Sequence, residues 1–369
     1  MKRALFVTDP AHFNATTSGG VQICSQEYFR LLQSCQMDVQ TFFVEHTRRF
    51  ATRLKIRLGV ELYERYDFSA LFPQLKKVIE DGGFSVIALN QVALMGFAPL
   101  LRAAFGDTIR IVLLSHGNES GDFLHHVARR EPSYGVAMIR DIYRLGSAVY
   151  RESRGFSGAV DVLLTISETD RQVGNWLGAR RSVFVPRTFD HDFLPWSPDP
   201  NRVGFVASLD HKPNLDGITQ VLDELEKLEY GSLRVRIVGA PREKGEALMR
   251  RSGLVEYAGP LSNVELRAEA ATWSAFLNPV FWYARGASTK LAVAINWGLP
   301  IISTPAGNRG YVWREGGLCT VDSAAEMAAA VLRLTQDPAL LQQAAAGVRD
   351  VAASGPAFPE IARQLQEYL

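Results

Sequence analysis

Three cysteines in 369 residues, Cys24, Cys35 and Cys319, are too few and too scattered for a disulfide framework. No CxxC pair and no histidine at ligand spacing accompanies them, so a structural zinc site is not supported either, and a reducing, cytoplasmic setting is expected. Long apolar runs are missing as well: none approaches the roughly 18 residues of a spanning helix, and the run before Asp9 and Pro10 is too short for a signal-peptide core. Charge of one sign is not in excess, with 40 Lys+Arg against 39 Asp+Glu. That balance argues against a general nucleic-acid binder, which needs a broad basic surface. With 47% hydrophobic residues, 17 Pro and 30 Gly, the chain is neither disordered nor fibrous and has the length of about two domains. One further absence is local: no Asp or Glu occurs between Glu269 and Glu315.

What is present is a repeated α/β grammar. Ala4–Thr8, Val86–Leu89, Ile111–Leu114 and Val162–Ile166 read as short buried strands, each followed by a polar loop and a helical pattern such as Gln22–Leu32. The theme restarts beyond the proline-rich stretch Pro195–Pro200 with Val203–Ala207, Val235–Val238, Phe276–Pro279 and Ile301–Ser303. Two parallel-sheet domains follow, over 1–190 and 201–352, with 191–200 as linker and 353–369 as a C-terminal helix returning to the first domain. In such sheets ligands collect at the carboxyl ends of the strands.

Four loops there carry candidate chemistry. Thr17 to Val21 includes Gly19 and Gly20, either a tight turn or a phosphate cradle at a helix start. Ser115 to Asn118 places His116 directly after a strand, as a loop histidine or as a group that orients a hydroxyl or exchanges a proton. Ser208 to Asn214 leads a strand into a helix expected at about Leu215, with Lys212 either solvated or facing a diphosphate. Gly286 to Thr304 reads as a glycine-rich loop, a helix opening with Lys290, a Gly298 cap and a buried strand. Phe281, Trp282 and Tyr283 stack on a ligand or belong to the core.

Taken in order, the Gly-Gly loop, His116, Thr165–Glu168, Pro213–Asn214, Val238–Gly239, Tyr257–Gly259 and the K-L-x-x-A-x-x-x-G-x-P-I-I-x-T segment from Lys290 to Thr304 resemble the retaining glycosyltransferases of family 4. The resemblance implies the GT-B fold, two Rossmann-like domains facing each other across a cleft. It also implies sugar transfer with retention from a nucleotide-sugar co-substrate to a glycan or lipid-linked acceptor, in cell-surface glycan synthesis, with no metal and no other cofactor. His116 and Lys290 would be the catalytic pair. Gly19, Gly20, Ser208, Lys212, Gly239, Arg285, Gly286, Ser288, Thr289 and Val293 would line the donor.

The family's two glutamates, seven residues apart, fall at Arg285 and Val293, and Ser208 stands where an arginine is usual. Val293 cannot accept a hydrogen bond. Arg285 reads either as a contact to donor phosphates or a donor carboxylate, or as a solvated arginine. A catalytically silent GT-B scaffold in a glycan-assembly complex is the alternative these substitutions raise.

A basic segment, Thr47 to Leu58, holds Arg48, Arg49, Arg53, Lys55 and Arg57 around Phe50, Leu54 and Leu58 at four-residue spacing. It reads as a helix on an anionic membrane, at the inner face of the cell membrane, or as a solvated surface helix. A second set, Arg129, Arg130, Arg140, Arg144, Arg151 and Arg154, is interleaved with Glu131, Asp141 and Glu152, and ordinary surface pairing is expected there. To Asp190 the chain has 23 Lys+Arg and 19 Asp+Glu, and beyond it 17 and 20.

Overall fold

A computed structural model describes residues 2–13, 19–47, 49–58, 65–128, 135–283 and 285–369. Thr17, Ser18, Arg48, Arg129, Arg130, Glu131 and the side chain of Arg57 lie outside the described part. The chain divides into two compact units: Met1–Pro186 with Arg285–Ala287 and Ala357–Leu369, and Arg187–Ala284 with Ser288–Pro356.

The first unit is built on β1 (Arg3–Thr8), β2 (Asp38–Phe43), β3 (Val86–Asn90), β4 (Arg110–Ser115), β5 (Val162–Thr165) and β6 (Ser182–Phe184). Its helices are α1 (Gly20–Ser34), α2 (Phe50–Arg57), α3 (Phe68–Gly82), α4 (Phe97–Phe105), α5 (Glu119–Ala128), α6 (Val136–Gly158) and α7 (Glu168–Trp176). The sheet order is β2-β1-β3-β4-β5-β6, every pairing parallel. β3 is buried along its whole length and β4 from Ile111 onward, because two apolar layers cover the sheet. Leu5, Leu89 and Leu113 point into one layer. Phe6, Ala88 and Leu114 point into the other, alternating as the pleat requires.

The second unit holds β7 (Asp199–Val206), α8 (Lys212–Leu225), β8 (Arg234–Val238), α9 (Arg242–Arg251), β9 (Val255–Gly259), α10 (Asn263–Ala270) and β10 (Trp273–Asn278). α11 (Thr289–Asn296), β11 (Ile301–Ser303), β12 (Cys319–Thr320), α12 (Ala324–Gln336) and α13 (Pro338–Ser354) complete it. Its sheet runs β12-β11-β10-β7-β8-β9, again all parallel. The last helix, α14 (Phe358–Leu365), counts with the first unit and packs on α1 through Ile361, Ala362 and Leu365.

Three readings need correction. The stretch taken as a linker is bound to the second unit: Asp192 and Leu194 donate N–H groups to the carbonyls of Asn296 and Trp297, and β7 already begins at Asp199. α8 starts at Lys212 rather than near Leu215, because Pro213 has the backbone angle of a first helical turn and no N–H to leave unpaired there. β2, β6, β9 and β12 are not among the expected strands, being two edge strands with polar interruptions and strands of three and two residues.

Trp273 anchors the second unit. It is fully buried over Gly204 of β7, where a Cβ would lie 2.0 Å from the indole. Its Nε1 donates to Glu269 Oε1 at 3.0 Å, and that carboxylate also takes Arg236 Nε at 2.6 Å. Replacing Trp273 by Ala leaves a large cavity and an altered carboxylate environment, and is expected to destabilise the protein by about 3–5 kcal/mol. Urea unfolding followed by far-ultraviolet circular dichroism measures it.

Candidate functional site

In the first unit the chemistry gathers where β1, β3, β4 and β5 end. β4 stops at Ser115, and His116 follows with Nε2 2.9 Å from Asn90 Oδ1. Asn90, at the end of β3 and fully buried, gives its Nδ2 hydrogens to Thr8 Oγ1 and Ser25 Oγ, both at 2.9 Å. With that amide spent on two hydroxyls, its oxygen is the acceptor and His116 Nε2 is the donor. Tyr28 of α1 adds a second brace: its hydroxyl donates to the carbonyl of Ser115 at 2.9 Å, and its ring lies 5.8 Å from the imidazole. Neither Asn90 nor Tyr28 was singled out in the sequence, since their roles depend on contacts across 26 and 87 residues.

The loop after His116 is held by Asp170 of α7, which is fully buried. Its Oδ1 accepts the Asn118 N–H at 3.1 Å, its Oδ2 accepts the Gly286 N–H at 2.8 Å, and the Ser167 hydroxyl donates to it as well. Segment 285–287 thus passes backbone to backbone against 116–117. A Cβ on Gly117, at φ +122°, would lie 2.6 Å from the Gly286 nitrogen, and one on Gly286, at φ +67°, 2.5 Å from the His116 carbonyl oxygen. Glycine is required at both places. Asn118 Oδ1 is buried and receives no hydrogen bond from the described residues.

Arg285 belongs to this cluster. Its guanidinium pairs with Glu119 and lies 3.9 Å from Asp122, both from the first turn of α5. The residue standing where the family has a glutamate is therefore a cation that gathers two carboxylates from another element. Gly19 caps α1 and Gly20 is its first residue; Gly19 has φ −122°, so it does not form a left-handed turn.

In the second unit the ends of β7, β8 and β10 meet. Gly239 follows β8 with φ +145°, and a Cβ there would sit 1.8 Å from the Ala207 carbonyl oxygen. Ser208, exposed just beyond, accepts Asn214 Nδ2 at its carbonyl, 3.0 Å. The other end of that amide, Asn214 Oδ1, accepts Lys290 Nζ at 2.7 Å. Lys212 is turned away to Asp216 one turn along α8, at 2.6 Å, so Asn214 and not Lys212 is the α8 residue that meets Lys290.

Lys290 lies in the first turn of α11, with its ammonium 5.1 Å above the Phe205 ring. It keeps partial solvent access, yet burial and the neighbouring charge of Arg309 push its pKa down to about 7. No carboxylate among the described residues pairs with it, which is the tertiary counterpart of the acid-free stretch from 270 to 314. Ser288 is buried, its carbonyl taken by Tyr311 Oη at 2.7 Å, and Arg187 Nη1 donates to Thr289 Oγ1 at 3.4 Å. Val293 is half-buried on α11 and offers no acceptor side chain. Trp282 is buried and Phe281 packs on the core of this unit, which assigns both to structure.

Among the described residues no three His, Cys, Asp or Glu side chains are placed to hold a metal ion, and no helix is long and apolar enough to cross a membrane. Phe50, at the start of α2, is 78% exposed and Leu58, just past its end, 58%; Arg49, just before it, forms an ion pair with Asp67 at 2.8 Å.

Residues 200–337 match the model of the family described as Glycosyl transferases group 1. No curated protein matches the chain. Among solved structures, sucrose-phosphate synthase from Thermosynechococcus elongatus is 16% identical, with all of this chain and 98% of that one covered and a TM-score of 0.66. The Anabaena protein HepE, solved in complex with UDP and glucose, is 14% identical over 100% and 99% of the two chains, with a TM-score of 0.65. The lipopolysaccharide outer core galactosyltransferase WaaB, in its apo form, is 12% identical over 100% and 99%, with a TM-score of 0.59. The chain therefore has the fold of GT-B glycosyltransferases, and its second unit is similar in sequence to Glycosyl transferases group 1.

Proposed function

We propose that the protein is a glycosyltransferase that moves a sugar, with retention, from a nucleotide-sugar donor to a glycan or lipid-linked acceptor of cell-surface polysaccharide. The observation that carries this reading is Lys290, a lysine at a helix start whose described charged neighbour is Arg309 and which has no described carboxylate partner. A cation held this way is completed by an anion, and a donor diphosphate supplies one. The family match over 200–337 and the UDP bound to HepE support the same assignment. Lys290 and Arg309 would take the negative charge that develops on the leaving diphosphate, in place of a divalent metal.

His116 would orient the transferred sugar through a ring braced by Asn90 and Tyr28, with Asp170 holding the loop that follows it. Ribose recognition would differ from the family pattern, because Val293 offers no acceptor. The carboxylates of Glu119 and Asp122, gathered by Arg285, are the nearest replacement for the missing glutamate. Exposed Phe50, Leu54, Arg53 and Lys55 on α2, with Arg49 just before it, suit work at the inner face of the cell membrane on a lipid-linked acceptor.

Incubation with UDP-, GDP-, ADP-, dTDP- and CMP-sugars should reveal one that raises the melting temperature and is slowly hydrolysed; if none binds better than millimolar, the enzyme reading fails. With that donor, affinity should be flat below about pH 7 and weaken as pH rises, because only protonated Lys290 pairs with the diphosphate. The slope approaches tenfold per pH unit, and Lys290→Met should abolish it. Isothermal titration from pH 6 to 9 reads both. His116→Ala should lower turnover on the order of 10²-fold with little change in melting temperature. Unchanged biological activity in that variant would instead support the silent scaffold.

A further inference from the structure

Asp9, directly after β1, is a buried carboxylate that the proposed transfer leaves unused. Its Oδ1 accepts the Ala11 N–H at 2.8 Å, and its Oδ2 accepts the Tyr66 hydroxyl at 3.0 Å and lies 3.1 Å from His46 Nε2. A carboxylate offers acceptors only, so His46 Nε2 carries the hydrogen, and in the uncharged ring Nδ1 is left as an acceptor. That atom has no hydrogen-bond partner among the described residues, and half of the side chain stands in solvent. The ring is fixed a second time by Tyr66, buried just ahead of α3 and 5.0 Å from it between centroids. The Thr47 N–H donates to the Arg65 carbonyl at 2.7 Å, which ties the two segments together.

This pair sits on the same strand edge as His116. Thr8 Oγ1, which takes Asn90 Nδ2, donates to the Asp9 carbonyl at 3.3 Å, so hydrogen bonds run from the imidazole of His116 through Asn90 and Thr8 to Asp9. His46 follows β2 and His116 follows β4, with β1 and β3 between them in the sheet. Three strand spacings amount to about 14 Å, wider than a single sugar ring. A group met by His46 is therefore not the sugar that His116 would orient. Charge narrows the kind of group. Burial and the Asp9 carboxylate push the Tyr66 pKa up, so the phenol keeps its proton and donates. His12 ends the turn that Asp9 caps, and burial pushes its pKa down against the pull of Asp9, with His46 and Arg65 adding to the fall. An uncharged imidazole backed by a carboxylate suits a hydroxyl and disfavours an anion.

We infer that His46, aimed by Asp9 and Tyr66, reads a hydroxyl of a saccharide bound on this edge beside His116. The ligand's role rests on the glycosyltransferase reading: in that reaction the saccharide is the sugar portion of the acceptor. Its hydroxyl donates to His46 Nδ1, and Asp9 and Tyr66 hold the ring so that Nδ1 keeps its direction. His46 is thus a positioning and specificity-determining residue. An acceptor without that hydroxyl leaves Nδ1 unpaired, and one with a phosphate there meets the charge of Asp9.

Histidine-selective NMR of the full chain tests it, with the His46 signal assigned from His46→Gln. The ring nitrogens of His46 should report hydrogen on Nε2 and none on Nδ1. Methyl glycosides of glucose, galactose, mannose and N-acetylglucosamine are titrated, with UDP and inorganic phosphate as separate arms. At least one glycoside should move the His46 signal at millimolar concentration. Asp9→Asn, whose side chain can no longer accept at both ends, should weaken that glycoside about tenfold. Should Asp9→Asn fail to fold, Tyr66→Phe keeps the carboxylate, removes one brace and should weaken it severalfold. UDP binding with no glycoside effect on His46 overturns this inference and leaves the transferase reading standing, whereas a glycoside effect with no nucleotide bound does the reverse. Phosphate that moves His46 more than any glycoside, or parent-like glycoside binding by folded Asp9→Asn and Tyr66→Phe, would also overturn it.

Discussion

Parallel hydrogen bonding between neighbouring strands is the constraint from which the rest follows. A parallel ladder needs a crossover after every strand, so in each unit the carboxyl ends of the strands lie on one edge and every loop leading from a strand into its crossover emerges there. In the first unit that edge collects Thr8, Asn90, His116 and Asp170 from four separate strand ends. In the second it collects Ser208, Gly239, Asn214 and Lys290. The site residues are therefore grouped by topology, though they are spread over hundreds of positions in the chain.

On those edges, close backbone approach and unbalanced charge do different work. Gly117 and Gly286 let two loops touch, and Asp170 bridges them with one oxygen to each N–H. That arrangement fixes the loop carrying His116 without using the imidazole itself. Lys290 is the opposite case: no described carboxylate pairs with it, and burial together with the charge of Arg309 depresses its pKa. The first feature suits a rigid support and the second a place for an anionic ligand.

The arginines show how charge patterns mislead when read along a line. Arg285 looks like a lost glutamate, but it gathers Glu119 and Asp122, so acidic groups return to that locality from α5. Lys212, which reads in the sequence as solvated or facing a diphosphate, pairs with Asp216 four residues on.

By itself the sequence determined the alternation of short buried strands with helices, the two-unit plan, and the positions of His116 and Gly239 at strand ends and of Lys290 at a helix start. These follow from local periodicity and from punctuation by glycine and proline, which need no knowledge of distant residues. Tertiary structure alone decided which groups meet. Asn90 on His116, Asp170 on both Asn118 and Gly286, and Asn214 rather than Lys212 on Lys290 are pairings across long separations, set by strand order and by the faces that helices bury.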